Sequence, residues 1–246
     1  MEIRVIGSSS AGNAYVLRNA SESLLIECGL SWSAIQTALD YQIGNCSGCI
    51  VSHEHGDHAK SVRQVMRHMI PVYASAGTLD ALNVGNEQMA RPLHEFTMVR
   101  IGSFDVMPFG VQHDAAEPFG YLIRHPECGT ILFATDTYYL KYTFPGINHM
   151  MIECNYKQDI IDRNVETGLV SDVRRNRTIQ SHLSIETLLE IIRANDMANV
   201  RNILLIHLSP DNSDAEEFER IVREETGTNV IAARPGITIN INKQPF

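Results

Sequence analysis

The sequence predicts an α/β fold in which two β-sheets pack together with helices on their outer faces. Three observations lead there. Short apolar runs bounded by turn residues fill the first third and the middle of the chain. Helical stripes of period 3.6 follow each β-rich block. No repeat, low-complexity stretch or linker interrupts the 246 residues, so one domain over 1–246 is expected, a length that buries a substantial core unaided.

Taken in order, Ile3–Ile6 reads as a strand, Gly7–Asn13 as a small-residue turn, and Ala14–Leu17 and Leu24–Cys28 as further strands. A helix from about Ser33 to Tyr41 precedes the apolar run Gly48–Val51. Val62, Val65, Met66 and Met69 then fall on one face of a helix that starts near Asp57. Strands are expected at Phe96–Ile101, Phe104–Gln112, Gly120–Ile123, Thr130–Ala134 and Met150–Cys154. Ser184 is a good N-cap for a helix carrying Ile185, Leu188, Leu189 and Ile192. Asn202–Ile206 reads as a buried strand, and Ser213-Asp214-Ala215-Glu216 as a capping box for the last helix.

Composition bounds the function classes. With 44% hydrophobic and 20% charged residues the chain is an ordinary globular protein. No run approaches the roughly 18 apolar residues of a membrane span, and MEIRVIGSSS lacks the basic and apolar regions of a signal peptide. A cytoplasmic protein without membrane partners is expected, with homo-oligomerisation left open. Five scattered cysteines make a poor disulfide framework, and Cys46 and Cys49 lack the second pair of a structural zinc site, so they read as half-buried thiols. The net charge of -9 argues against loose binding of nucleic acid through a broad basic surface.

The decisive segment is Ser52-His53-Glu54-His55-Gly56-Asp57-His58. In extended chain, residues two apart point the same way, so His53, His55 and Asp57 converge and His58 turns in as the helix begins. Imidazoles and carboxylates suit zinc, and also manganese or iron. Four such ligands are too many for one catalytic ion that must keep a position open, so two divalent ions are expected. Further ligands stand at strand ends: His113, Asp136 and His207.

At these residues the chain resembles the metallo-β-lactamase superfamily, whose signature is HxHxDH. It is most similar to the YycJ (WalJ) group of phosphodiesterase and exonuclease-like proteins, through GSSSAGNAYVL, IECGLS, SHEHGDH, VQHDAAEPFGY, FATDT, IECNY and LLIHLSPDNSD. The resemblance implies a four-layer αβ/βα sandwich of two mixed β-sheets. It implies that His53, His55 and His113 hold one metal, that Asp57, His58 and His207 hold the other, and that Asp136 bridges them. Glu27 stands where the family usually has Asp and would orient a ligand histidine, with a longer reach. Asp136 is followed by Thr137-Tyr138 instead of the familiar Thr-Gly. Ser181-His182-Leu183-Ser184 is similar to the SGHxS element of ribonuclease J-type enzymes, which places His182 at the scissile phosphate.

The expected activity is metal-assisted phosphodiester hydrolysis of nucleic acid, resembling a 5′-directed DNA exonuclease. Asp57 would orient the attacking water and His182 would protonate the leaving oxygen or hold the phosphate. Ser8, Ser9, Ser10 and Asn13 would offer donors to the substrate. Lys60, Arg63 and Arg67, and Arg174, Arg175 and Arg177, are cation clusters that would flank a DNA substrate. Two other readings compete: hydrolysis of a small ester, lactone or thioester, which the acidic balance favours, and a non-enzymatic metal-bound scaffold.

Overall fold

The structure, a computed structural model, describes residues 1–243. Among these residues the strands make two mixed β-sheets flanked by helices, the fold class the sequence predicts. The chain divides into two compact units.

The first unit comprises Met1–Gly110, Ala115–Gly129 and the chain from Arg234. Strands β1 (Glu2–Gly7), β2 (Ala14–Arg18) and β3 (Ser23–Ile26) pair antiparallel, and β14 (Thr238–Asn240) joins β1 in the same sense. From β3 the sheet continues in parallel through β4 (Cys46–Ile50), β5 (Val72–Ser75) and β6 (Ala90–Leu93). Parallel neighbours need crossovers, which α1 (Trp32–Ala38), α2 (Gly56–Ala59), α3 (Val62–Arg67) and α4 (Ala76–Ala81) supply. Ser31 and Ser75 cap α1 and α4 by accepting from the Ala34 and Thr78 amides. Val62, Val65 and Met66 bury the apolar face of α3 in a core that holds Ile35, Val51, Val72 and Ala74. An antiparallel meander of β7 (Val99–Ile101), β8 (Phe104–Gly110) and β9 (Phe119–His125) belongs to the same unit.

Three expectations shift here. The single helix near Asp57 is two short ones, α2 and α3, with Lys60 and Ser61 between them. The strand expected from Phe96 begins at Val99, because Phe96 has a left-handed φ of 57° that no strand continues through. Cys46 and Cys49 are buried, not half-buried, and lie within the core.

The second unit comprises Val111–Asp114 and Thr130–Ala233. Its strands β10 (Gly129–Ala134), β11 (His149–Glu153), β12 (Asn202–Ile206) and β13 (Asn229–Ala232) are all parallel. Near-continuous apolar runs such as MMI and ILLI are what parallel strands buried on both faces require. Register aligns Ala134 with Ile152 and Glu153 with Ile206, so three neighbouring strands end together. Helices α5 (Gln158–Glu166), α6 (Asp172–Ser181), α7 (Ile185–Ala194) and α8 (Ala215–Thr226) complete the unit. Ser184 caps α7 as its sequence suggests. The cap of α8 is Asp214, which accepts from the Glu217 amide. Ser213 instead donates to the Ser209 carbonyl, one position off the expected capping box.

Candidate metal centre

In the first unit the metal motif leaves the C-terminal end of β4, and Glu27 leaves the matching end of its parallel neighbour β3. The His53 and His55 rings stand edge to face with centroids 4.6 Å apart, and those of His53 and His58 lie at 4.3 Å. Asp57 joins them, its Oδ2 being 3.3 Å from His58 Nε2. Glu54, the odd residue of the alternation, turns away and accepts from the Ala116 amide. The four motif residues His53, His55, Asp57 and His58 are thus gathered by a single turn.

That turn is held by backbone. Asn13 N–H donates to the Asp57 carbonyl at 2.7 Å, Cys28 N–H to the His58 carbonyl at 2.8 Å, and Gly29 N–H to the Asn13 carbonyl at 2.9 Å. A Cβ on Gly29 would sit 1.7 Å from the Asp57 carbonyl oxygen, so only glycine permits the approach. The Asn13 side chain, expected to face substrate, is buried, and its amide donates to the Ser9 and Asp57 carbonyls. Ser8 is likewise buried against the Tyr15 hydroxyl, whereas Ser9 is half-buried and Ser10 exposed.

Glu27 reaches His58, as its place in the sequence suggests: its Oε2 lies 3.4 Å from His58 Nδ1, and its Oε1 accepts from the Ser52 amide at 3.0 Å. Burial pushes its carboxyl above the ordinary range, and the contact with His58 and the hydrogen bond from Ser52 only partly offset this.

The second unit gathers His113, Asp136, His182 and His207 around one further residue, Glu153. Asp136, Glu153 and His207 lie at the C-terminal ends of the adjacent parallel strands β10, β11 and β12. Asp136 and His207 have left-handed φ of 44° and 54°, a backbone state costing about 1–3 kcal/mol for non-glycine residues and concentrated at functional sites. His182 follows α6 and stands two residues before the Ser184 cap of α7. Asp136, Glu153, His182 and His207 each offer an atom within 4.8 Å of the others.

Glu153 organises this set. Its Oε1 lies 2.7 Å from His182 Nδ1 and 3.0 Å from His207 Nδ1, while Oε2 accepts from the Thr137 and Leu183 amides. Burial works against its ionisation, yet the charge and hydrogen bonds of His182, with the bond from His207, hold the carboxyl below its ordinary range. Burial also opposes a charged His182, and the same Glu153 contact prevails and raises that ring above its ordinary value.

The donor set fits a divalent ion. His113 Nδ1 lies 2.9 Å from the Ser181 carbonyl, which only accepts, so Nδ1 carries the proton and Nε2 the lone pair. Burial lowers the His113 pKa against the pull of Asp136, leaving a neutral ring at pH 7. Its Nε2 faces Asp136 Oδ2 at 3.6 Å. Two electron-pair donors so oriented repel unless a cation lies between them.

The sequence reading missed Glu153. Its signals are its place in the IECNY segment that carries the family resemblance and one acid closing a strand whose other residues are all buried, which an ordinary strand end also gives. The arginines of α6 have acidic neighbours. Arg174 and Arg175 are paired with Asp211 and Asp162 at 3.1 and 2.6 Å, and Arg177 lies 3.8 Å from Asp114.

The fold and these ligand sets define a class. Residues 16–212 match the family described as Beta-lactamase superfamily domain, and the chain belongs to the metallo-β-lactamase superfamily, within its YycJ-like group. It is 28% identical over 251 residues to an exodeoxyribonuclease, YycJ, of Bacillus anthracis, covering 94% of this chain and 92% of that one. It is 27% identical to exodeoxyribonuclease WalJ of Streptococcus pneumoniae over 86% of this chain and 83% of the relative. Among solved structures, the metallo-β-lactamase fold protein YhfI of Bacillus subtilis superposes with a TM-score of 0.75 at 16% identity, covering 97% and 98% of the two chains. The protein is a metal-dependent hydrolase. No helix among the described residues is long and apolar enough to cross a membrane.

Proposed function

We propose that the protein is a cytoplasmic phosphodiesterase that degrades DNA from a 5′ end, with His53, His55, Asp57, His58, His113, Asp136 and His207 as ligands of two divalent ions, zinc or manganese, with iron also compatible. The observation that carries the reading is the pair of half-buried His182 and buried Glu153 beside Asp136 and His207. The names borne by the YycJ and WalJ relatives support it further.

When bound, such ions would supply Lewis-acid stabilisation of phosphoryl oxygens and would lower the pKa of water to about 7. The rest falls to the chain. Asp57 accepts a hydrogen bond from the attacking water and sets its line of approach. Glu153 keeps His182 protonated and fixes its ring, and His182 gives its proton to the departing sugar oxygen. A sugar alkoxide is a poor leaving group, so an acid held in the charged form is of direct use. Ser9 and Ser10 would offer hydroxyls to the substrate.

The net charge of -9 favours the second reading, a small ester, lactone or thioester substrate. Hydrolysis of 5′-labelled DNA, bis(p-nitrophenyl) phosphate and a p-nitrophenyl ester, each with zinc, manganese and iron, separates the two. Release of mononucleotides from the 5′ end is expected. Ester hydrolysis without DNA cleavage under every metal would replace the first reading with the second.

A further inference from the structure

Immediately after Asp136 the chain reads Thr137-Tyr138-Tyr139-Leu140-Lys141-Tyr142. Tyr138 and Tyr139 are 46% and 49% exposed, two adjacent aromatic rings each about half open to water. Their backbone is nonetheless pinned. Thr137 N–H donates to Glu153 Oε2 at 2.9 Å, and its hydroxyl donates to the Tyr139 carbonyl at 2.7 Å while accepting from the Gln112 amide at 3.0 Å. Tyr138 N–H donates to the Gln112 carbonyl at 3.2 Å. Farther along, Leu140 and Phe144 are buried, and Phe144 N–H donates to the Asn195 side chain at 2.9 Å.

Two aromatic rings are therefore held in water on an ordered segment, two and three residues from a ligand-type carboxylate. Burying them would release more free energy than exposing them, so the fold forgoes that gain at this place. Lys141 follows, exposed, with its ammonium 5.6 Å from the Tyr142 ring centroid. Aromatic faces interleaved with a cation suit a single strand of nucleic acid, whose bases stack on rings and whose phosphates meet the charge.

We propose that Tyr138 and Tyr139 are a stacking platform for unpaired bases of single-stranded DNA, with Lys141 on the adjoining phosphates. This rests on the DNA-directed reading above and adds strand preference to it: the substrate is taken with its terminal bases unpaired. A pinned backbone lowers the ordering cost of such contacts, because the rings need not first be gathered.

The test uses the full chain, a phosphorothioate-protected single-stranded oligonucleotide and fluorescence anisotropy. The variant Tyr138→Ala/Tyr139→Ala should bind roughly 5- to 100-fold more weakly, as loss of base stacking implies, and Tyr138→Phe/Tyr139→Phe should bind like the wild type. The wild type should bind an oligonucleotide with abasic 5′-terminal residues as weakly as the alanine variant binds the normal one. This last comparison needs no substitution and decides the matter even if the variant misfolds. Equal affinity for normal and abasic strands, with DNA digestion intact, overturns the platform and leaves the function standing. Absence of DNA digestion by the wild type overturns the function first and the platform with it. Unchanged DNA affinity in the alanine variant, with a shift from dimer to monomer in sedimentation, assigns the rings to a protein contact and also overturns the proposal.

Discussion

Behind the histidines of each unit stands one buried glutamate, and the two are held in opposite states. Glu27, behind His58, accepts one good hydrogen bond, from the Ser52 amide, and has only a 3.4 Å contact to the ring. Burial dominates, and its carboxyl is pushed up. Glu153, behind His182 and His207, accepts from two backbone amides at 2.9 and 3.1 Å and faces two imidazoles at 2.7 and 3.0 Å. There the donors outweigh burial and the carboxyl is pulled down. Equal burial thus yields a reluctant anion at one site and a secure one at the other, and the count of donors decides which.

The frames around them differ in the same way. The candidate ligands of the first unit lie within six residues, 53–58, and are placed by a backbone crossing at Gly29. Those of the second, His113, Asp136 and His207, come from three distant segments, and the common ending of β10, β11 and β12 places Asp136 and His207. Breaking the crossing should therefore give the largest effect. In Gly29→Ala the new methyl meets the Asp57 carbonyl at 1.7 Å, and that atom is backbone, so the turn itself must move. A loss of about 3 kcal/mol or more is expected, at the upper end for overpacking. Metal bound per chain should fall sharply by elemental analysis. Full metal content and unchanged melting would show that the turn is not fixed by this contact.

Next comes the Glu153–His182 pair. His182→Ala should retain its metals and lose roughly 100-fold or more in turnover of DNA, the range for a general acid. Glu153→Gln should lose about 10- to 100-fold, because the ring is left less well charged and oriented. Groups acting as one unit are not additive, so the double variant should be no slower than His182→Ala alone. A multiplicative loss in the double variant would separate the two residues. The alkaline limb of the pH–rate profile should also move to lower pH in Glu153→Gln, since the carboxylate that raises His182 is gone.

The contrast also explains what the sequence made legible. HxHxDH is readable because one turn collects its members and spacing alone does the placing. Glu153 is not, since its meaning depends on the register of β11 against β12, a tertiary fact. Among the elements, α6 escaped because DVRRNRTIQS has no apolar stripe, only Ser181 being buried. The short β6 escaped because Ala90–Leu93 contains a proline and two exposed residues. The charge of the α6 arginines is visible in sequence, whereas its partners, Asp162 and Asp211, are not.

The smallest expected effect concerns Glu27 and is read in stability. In chelator-treated protein its folded-state carboxyl titrates above the ordinary value of 4.5. Folding then favours the protonated form, so this contribution is present in full below the unfolded-state value and is lost as pH rises through the folded-state one. Glu27→Gln carries no charge and cannot lose it. The variant should melt close to the wild type at pH 4 and gain on it as pH increases, a shift of a few degrees corresponding to about 1 kcal/mol. Glu153→Gln should behave oppositely, because a depressed carboxyl contributes stability that is present above the unfolded-state value and lost on acidification. Its deficit against the wild type should be greatest near neutrality and shrink as pH falls. Melting curves of both variants across this range, run in parallel, measure the difference between the two glutamates directly. Curves that diverge from the wild type in the same sense would refute the assignment of opposite states.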